Sequence, residues 1–160
     1  MGHQMTRTQR PGRDASVALR PATLADVAGV IALDEEVTGL LKADYWQDMF
    51  DRHGARQGNS GVFLVADNAR RIDGFIVGEV RAWEFGSSPS GWIFAVQVRA
   101  RSRVRGLGSR LFDAVCDSFR AAGVDRVRTM VAPDNTVIHS FFRSQGMTAG
   151  PFIELEMRLE

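Results

Sequence analysis

The chain has 160 residues, 44% of them apolar and 24% charged, and its net charge at pH 7 is +1. These values are typical of one soluble globular domain and argue against a protein that coats nucleic acid. One cysteine excludes an internal disulfide framework. Because no apolar run is long enough for a membrane span or a secretory signal, we expect a cytoplasmic protein with no membrane or nucleic-acid partner.

The first fifteen residues are polar and show no apolar period. They include three arginines, Arg7, Arg10 and Arg13. A segment of this kind buries too little apolar surface to offset the entropy lost on ordering. We therefore predict a disordered tail over residues 1–15 and one folded domain over residues 16–160.

The first half of that domain combines strand and helix patterns. Residues 17–20 are typical of a short strand, and apolar residues at helical spacing predict helices over about 24–33 and 43–52. Two strands are predicted next, over residues 62–66 and 74–85, because β-branched and aromatic residues dominate there.

The two predicted helices are rich in acid. Between residues 24 and 51 there are seven acidic residues and only one base, Lys42. The acids are Asp26, Asp34, Glu35, Glu36, Asp44, Asp48 and Asp51. This charge pattern favours a cationic acceptor at this end of the domain.

The segment from Trp92 to Ala122 predicts a strand, a loop and a helix. An apolar run over residues 92–98 is typical of a buried strand, and a loop rich in arginine and glycine follows it. After Gly108 an apolar stripe at three- and four-residue spacing predicts a helix. A glycine loop before a helix offers unpaired N–H donors and the positive end of the helix dipole, so this segment predicts a phosphate site.

Two common phosphate loops fit this segment poorly. A Walker loop ends in Gly-Lys-Ser/Thr, whereas this loop has Gly106-Leu107-Gly108-Ser109 and no lysine. A dinucleotide-binding loop needs a third glycine where this chain has Leu111. Neither nucleotide triphosphate hydrolysis nor dinucleotide binding is therefore favoured.

The last third of the chain predicts two strands around a helix. Residues 125–131 are typical of a strand, and a helix is expected from Asn135 to near Gly146. Residues 152–159 alternate apolar and polar side chains, which predicts a half-buried closing strand.

The spacing Arg103-x-x-Gly106-x-Gly108 after a strand resembles the pyrophosphate loop of the GCN5-related N-acetyltransferase family. Later features match that family in layout: Asn135, the aromatic pair Phe141-Phe142, and Gly146-Met147. The resemblance implies an α/β (α+β) fold with a mixed, mostly antiparallel sheet of about six to seven strands. About four helices would flank this sheet, which would be splayed between its fourth and fifth strands.

The resemblance implies acetyl-CoA as co-substrate and no metal. In relatives, free backbone groups of the strand before the loop bind the pantetheine arm, main-chain N–H groups of the loop bind the pyrophosphate, and the amide at the position of Val98 stabilises the oxyanion. The cofactor-binding residues it implies are Phe94, Val96, Val98, Arg103, Val104, Arg105, Gly106, Leu107, Gly108, Ser109, Asn135 and Phe142.

The catalytic groups depart from the family pattern. A lysine amine with a pKa of about 10.4 is neutral in only about one molecule in two thousand at pH 7, so a base is expected. Phe94 and Gln97 stand where a strand carboxylate is expected, and Met130 holds the equivalent place on the next strand, which leaves Glu79 and Glu84 as candidate bases. Phe142 replaces the tyrosine that often protonates the departing sulfur, and His139 is a candidate substitute.

The resemblance implies an acyl-CoA-dependent N-acyltransferase that acts by direct transfer to an amine of a protein or small molecule. Tyr45, Trp46 and Glu36 on the acid-rich helices are the expected acceptor-binding residues. The alternative is a CoA-binding regulatory module that has lost turnover, because the tyrosine and the strand carboxylate are missing. Both hypotheses are compatible with a homodimer.

Overall fold

A computed structural model describes residues 17–55, 60–103 and 106–159. The predicted tail over residues 1–15 lies outside the described residues. In the described part of the chain, no helix is both long enough and apolar enough to cross a membrane.

One five-stranded sheet forms the centre of the described structure, with its strands in chain order. The first four strands are antiparallel, and the fifth runs parallel to the fourth. The strands are β1 (Ala18–Pro21), β2 (Gly61–Asp67), β3 (Ile72–Arg81), β4 (Ser90–Val98) and β5 (Val127–Arg128).

Helices cover both faces of the sheet. One core lies under α1 and α2 and contains Trp46 and Phe75, and the other lies under α4 and α5 and contains Leu111 and Phe142. The helices are α1 (Val27–Thr38), α2 (Ala43–His53), α3 (Ala100–Arg103), α4 (Leu107–Ala121) and α5 (Thr136–Ser144). Short 3-10 turns at Leu24–Asp26 and Glu84–Gly86 complete the described elements.

The mixed, mostly antiparallel fold is confirmed, but the expected strand count of six to seven is wrong. The described residues form five strands, because residues 152–159 alternate in sequence yet pair with no strand. The strand predicted over 74–85 ends at Arg81, and the strand predicted over 125–131 is reduced to Val127–Arg128. The described part of the chain contains five α-helices where about four were expected, since α3 forms in the segment expected to be loop.

The predicted splay between β4 and β5 is present. Their parallel ladder contains only Gly91 opposite Val127 and Trp92 opposite Arg128. The Thr129 hydroxyl then donates a hydrogen bond of 3.0 Å to the carbonyl of Ile93. Beyond this point β4 continues to Val98 without β5 beside it, which leaves a gap in the sheet.

Candidate active site

A cleft of about 340 Å³ occupies the gap between β4 and β5. It lies between the open side of β4 and the chain that leads from β5 into α5. Its lining includes Phe94, Val96, Gln97, Thr129, Ala132, Asn135 and Phe142.

A β-bulge decides which backbone groups of β4 face this cleft. Val77 pairs with Ala95 and Gly78 pairs with Ile93, so Phe94 has no partner on β3. Before the bulge, the Ile93 carbonyl points toward β5, where it accepts from Thr129. The extra residue shifts the alternation by one position. Beyond the bulge, the backbone N–H and C=O groups of even-numbered residues therefore point toward the β5 side of β4.

The hydrogen bonds at the end of β4 agree with this alternation. The Arg99 N–H donates to the Asp73 carbonyl on the β3 side at 2.8 Å, whereas the Val98 carbonyl accepts from Arg103 Nε at 3.0 Å. Antiparallel ladders alternate in this way, so the backbone groups of Val96 and Val98 point to the open side of β4, where Val96 lines the cleft. These are the strand groups that the sequence predicted for pantetheine binding.

The loop before α4 has the geometry of an anion site. Gly106 has φ +69° and caps α4, a fifteen-residue helix whose first N–H groups point back toward the loop. The Gly106 N–H itself donates to the Arg103 carbonyl at 3.2 Å, so the donors left for a phosphate lie at Leu107, Gly108 and Ser109.

Close packing fixes the position of this loop. A Cβ on Gly108 would lie 3.0 Å from Cε2 of Phe141, so the absence of a side chain lets α4 approach α5. The Ser109 hydroxyl accepts from Gln145 Nε2 at 3.0 Å. Leu107 is buried in the core, which leaves only its backbone for a ligand.

Two of the predicted loop residues, Val104 and Arg105, lie outside the described residues. The predicted residues Asn135, the N-cap of α5, and Phe142, within α5, line the cleft. The side chain of Asn135 accepts from the Ile138 N–H at 3.2 Å and so caps the helix as well. Phe142 is buried and packs against Phe112 and Phe141.

A second cavity of about 700 Å³ adjoins the cleft. Tyr45 and Phe94 line both spaces and so form the boundary between them. The other residues that line the second cavity are Met49, Asp51, Arg52, His53, Glu79 and Arg81. A group bound in this cavity would lie next to the open part of β4.

Glu79 is the predicted base that reaches this second cavity. One of its oxygens accepts from Arg81 Nε at 2.9 Å, and the other lies 3.5 Å from His53 Nδ1. His53 was not predicted from sequence. Burial lowers the pKa of His53 from its ordinary value of 6.5, although the charge of Glu79 opposes that shift, so the imidazole is neutral at pH 7.

The other two catalytic candidates are placed elsewhere. Glu84 lies in the turn after β3, with half of its side chain exposed and 3.7 Å from Arg81 Nη1. His139 is exposed on α5. Neither residue lines the cleft or the second cavity.

The three predicted acceptor residues have different positions. Tyr45 is half-exposed at the boundary of the two spaces. Trp46 is buried and its indole donates to Asp34 at 2.7 Å, so it belongs to the core beneath the cleft. Glu36 forms an ion pair with Arg99 and lines neither space.

Asp34 forms a polar cluster at the floor of the cleft that the sequence did not predict. This fully buried carboxylate accepts from Trp46 Nε1, from Gln97 Nε2 at 2.6 Å and from Lys42 Nζ at 2.8 Å. Burial raises its pKa, but these three donors outweigh burial and hold the pKa below its ordinary value. The cluster therefore fixes α1, α2 and β4 relative to one another.

The acid-rich helices present less charge than their composition suggests. Four of their seven acids form ion pairs within the chain. These pairs are Asp26–Arg20, Asp34–Lys42, Asp48–Arg52 and Glu36–Arg99. The expected preference for a cationic acceptor is weakened accordingly. In the described residues, no group of three or more acidic, histidine or cysteine side chains could hold a metal.

A model of the acetyltransferase (GNAT) family matches residues 29–147. No curated protein sequence matches the chain.

Solved structures share the fold at low sequence identity. An aminoglycoside 6'-N-acetyltransferase, AAC(6')-IG from Acinetobacter haemolyticus, is 18% identical with a TM-score of 0.74, over 89% of this chain and 99% of that chain. Aminoglycoside N-acetyltransferase AAC(6')-Iy in complex with CoA is 15% identical with a TM-score of 0.80, over 93% and 99%. A transcriptional regulator from Bacillus halodurans C-125 is 18% identical with a TM-score of 0.74, over 89% and 99%.

Proposed function

Because the chain belongs to the acetyltransferase (GNAT) family, we propose that it transfers the acetyl group of acetyl-CoA directly to a primary amine of a protein or a small molecule. The family match confirms the N-acetyltransferase class predicted from sequence. The observation that carries the proposal is the open side of β4, to which the backbone groups of Val96 and Val98 point and where Val96 lines a cleft. The second cavity adjoins this cleft, and the glycine-capped start of α4 follows β4 along the chain.

The chain's own groups fit an acyl-CoA. The first N–H groups of α4 would bind the pyrophosphate, and the Val96 backbone would bind the pantetheine amides as a strand would. The Val98 N–H would stabilise the negative charge that develops on the thioester oxygen. Asn135 and Phe142 would form the opposite wall of the cleft.

The second cavity would hold the acceptor amine beside Phe94. The amine nitrogen forms a bond to the acetyl carbon, the carbon–sulfur bond breaks, and CoA leaves as thiolate. Because the Glu79 carboxylate lies 3.5 Å from Nδ1, it would favour a proton on that nitrogen, and the Nε2 lone pair of His53 would accept the proton that the amine loses. Phe142 cannot protonate the sulfur, but a thiol pKa of about 8.5 makes thiolate a tolerable leaving group.

The residues that line the second cavity, and its volume, indicate which class of acceptor it would hold. Its acids, Glu79 and Asp51, are balanced by Arg52 and Arg81, so neither sign of charge dominates. Its volume of about 700 Å³ suits a small molecule or a single chain end better than a folded surface. Two of the structural neighbours reported above are aminoglycoside acetyltransferases, which supports a small-molecule amine.

The competing function is a CoA-binding module without turnover. Phe142 and Phe94 favour it, because neither can exchange a proton at the positions where the family usually has a titratable group. The two hypotheses differ in one product, free CoA thiol released in proportion to added amine.

A thiol-release assay with acetyl-CoA and a panel of small amines, amino acids and peptides tests the proposal. We expect release above the hydrolysis background with at least one acceptor class, and loss of most of that release in Glu79→Gln. Acetyl-CoA binding without amine-dependent release from any class would instead support the module without turnover.

A further inference from the structure

The wall of the second cavity contains an arginine that three contacts orient. Arg81 is the last residue of β3, and its Nε donates a hydrogen bond of 2.9 Å to Glu79. Its guanidinium carbon lies 4.8 Å from the centre of the Phe94 ring and 5.4 Å from that of Trp92. Aromatic rings attract a guanidinium group to their faces, so these contacts orient the charged group of Arg81 before any ligand binds.

The outer nitrogens of this guanidinium are available to a ligand. Within the described part of the chain, the Nη groups of Arg81 make no hydrogen bond, since Glu84 lies 3.7 Å from Nη1 and is too distant to accept one. The side chain is 32% exposed, so a molecule in the cavity can reach it. The two Nη groups of an arginine match the two oxygens of a carboxylate. Arg81 therefore fits a carboxylate of the acceptor.

The proposed base lies close to this arginine. One oxygen of Glu79 accepts from Arg81, and the other lies 3.5 Å from Nδ1 of His53. Because one carboxylate group makes both contacts, the guanidinium and the imidazole are near neighbours on the cavity wall. An acceptor whose amine faces His53 while its carboxylate faces Arg81 needs the two groups only a few bonds apart. Amino acids have that arrangement.

The other residues of the lining suit the same class of acceptor. The cavity is lined by two acids and two arginines, so the charges of its lining sum to zero, as do those of an amino acid at pH 7. A polyamine would instead meet two arginines. The uncharged walls are Tyr45, Met49 and Phe94, which are apolar or aromatic. These walls suit an apolar or aromatic side chain.

We infer that the acceptor is a free amino acid with an apolar or aromatic side chain, whose carboxylate binds Arg81 and whose amine faces His53. This inference rests on the proposed acetyl transfer and names its substrate class. The amine nitrogen forms the new amide bond, the carbon–sulfur bond breaks, His53 takes the proton, and the products are an N-acetyl amino acid and CoA thiolate. The carboxylate takes no part in these steps, so Arg81 determines which acceptor binds.

Thiol release from acetyl-CoA with matched pairs of acceptors tests this inference. Phenylalanine, leucine and methionine are compared with their primary amides, which keep the amine and the side chain but lack the carboxylate. We expect kcat/KM to be at least about tenfold higher for the acids, mainly through KM. The carboxylate raises the pKa of the neighbouring amine, so a preference for the acids cannot come from a larger neutral fraction. Release from the amides with no preference for the acids would overturn the inference and leave acetyl transfer in place.

Arg81→Gln and Arg52→Gln are the matched variants. Each removes one arginine from the cavity lining, but Arg52 is 66% exposed and already pairs with Asp48. We expect the acid-to-amide ratio of kcat/KM to fall to about one in Arg81→Gln and to persist in Arg52→Gln. Arg81→Lys keeps the charge and should restore part of the ratio.

The ratio isolates the carboxylate contact. Arg81 also lowers the pKa of His53, but loss of that effect changes both members of a pair equally. A ratio that Arg81→Gln leaves unchanged, or that Arg52→Gln abolishes instead, would show that the carboxylate does not bind Arg81.

Calorimetry separates the acceptor class from the transfer reaction. Phenylalanine and phenylalaninamide are titrated into the protein saturated with CoA. We expect the acid to bind at least about tenfold more tightly in the wild type and no more tightly than the amide in Arg81→Gln. This result without any release of thiol would refute acetyl transfer but not the recognition of amino acids. Equal affinity of the wild type for the two compounds would overturn the inference.

Discussion

His53 is the residue on which proton transfer in the proposed reaction depends most. It lies at the end of α2, is buried, and faces Glu79 on β3. The charges of Arg52 and Arg81 lower its pKa further, whereas those of Glu79 and Asp48 raise it. The balance leaves a neutral base next to the acceptor cavity at pH 7.

The pH dependence of kcat/KM tests this role. The rate should fall as pH drops through the lowered pKa of His53, because the protonated imidazole cannot accept a proton. Glu79→Gln removes a charge that raises this pKa, so the acid limb should move to lower pH. His53→Gln should reduce kcat/KM by about 10²–10⁴-fold and abolish the limb.

The same substitution at His139 provides the comparison, because His139 is exposed and lines neither cavity. We expect His139→Gln to leave both kcat/KM and its fall at low pH unchanged. If His139→Gln removes the limb and His53→Gln does not, the proton passes through α5 instead of α2.

The free energy of unfolding should also depend on the protonation of His53. The unfolded chain binds a proton at His53 near its ordinary pKa of 6.5, whereas the folded chain binds it only at lower pH. The free energy of unfolding therefore falls as pH drops from about 6.5 through the folded pKa, and His53→Gln should reduce this slope.

For individual residues, the sequence predicted which residue types the site contains better than it predicted which residues contact one another. Glu79 could be proposed as a base because it lies on a strand near the site, but its partner His53 lies 26 positions away and looks like an ordinary helix end. Asp34 interrupts the apolar pattern of α1, which is a signal of a buried carboxylate. Its donors on α2 and β4 could not be predicted without the packing of those elements.

Among the elements, β4 and β5 define the site through the place where they stop pairing. Thr129 makes the last described contact between them, and Ala132 lines the gap beyond it. The bulge at Phe94 then turns the backbone groups of Val96 and Val98 toward this gap. A bulky side chain in the gap should therefore block the cofactor without disturbing either core.

Ala132→Trp tests this arrangement. Ala132 is exposed, so the substitution should change stability by no more than about 0.5 kcal/mol, while the indole occupies much of a cleft of about 340 Å³. We expect acetyl-CoA affinity to fall at least about tenfold in a fluorescence or calorimetric titration. Ala122→Trp, at the exposed end of α4, should bind as the wild type does, and equal affinity in both variants would place the cofactor outside the cleft.

The sequence predicted the strand, loop and helix around Gly106 because local patterns determine them. Apolar residues mark β4, glycines mark the loop, and a helical stripe marks α4. It could not predict the bulge or the two-residue length of β5, since both depend on pairing between strands. Residues 152–159 show the same limit, because their alternation predicts a strand but they pair with no described strand.

At the scale of the whole molecule, the fold class and family follow from the order of elements and the loop motif. The charge distribution was harder to predict from sequence. Composition indicated an acidic acceptor end, whereas the structure neutralises four of its seven acids. Three of these acids pair with bases fewer than ten residues away, and only Glu36 pairs with a base distant in sequence, Arg99. The acceptor class is therefore better argued from the lining of the second cavity than from net charge.

The central claim is that the start of α4 binds the pyrophosphate and so places the thioester beside Val98. Calorimetric titration of acetyl-CoA into the wild type, Gly106→Asp and Gly123→Asp tests it most directly. Gly106 is the N-cap of α4 and Gly123 directly follows its C-cap, both have positive φ (+69° and +81°), and neither has an atom within 4 Å of a built Cβ. The backbone strain of the two variants is therefore matched, and only the first places a carboxylate at the phosphate site. We predict one binding site per chain in the wild type and in Gly123→Asp, and an affinity at least about tenfold lower in Gly106→Asp. No binding to the wild type, or equal affinity in the two variants, would contradict the account.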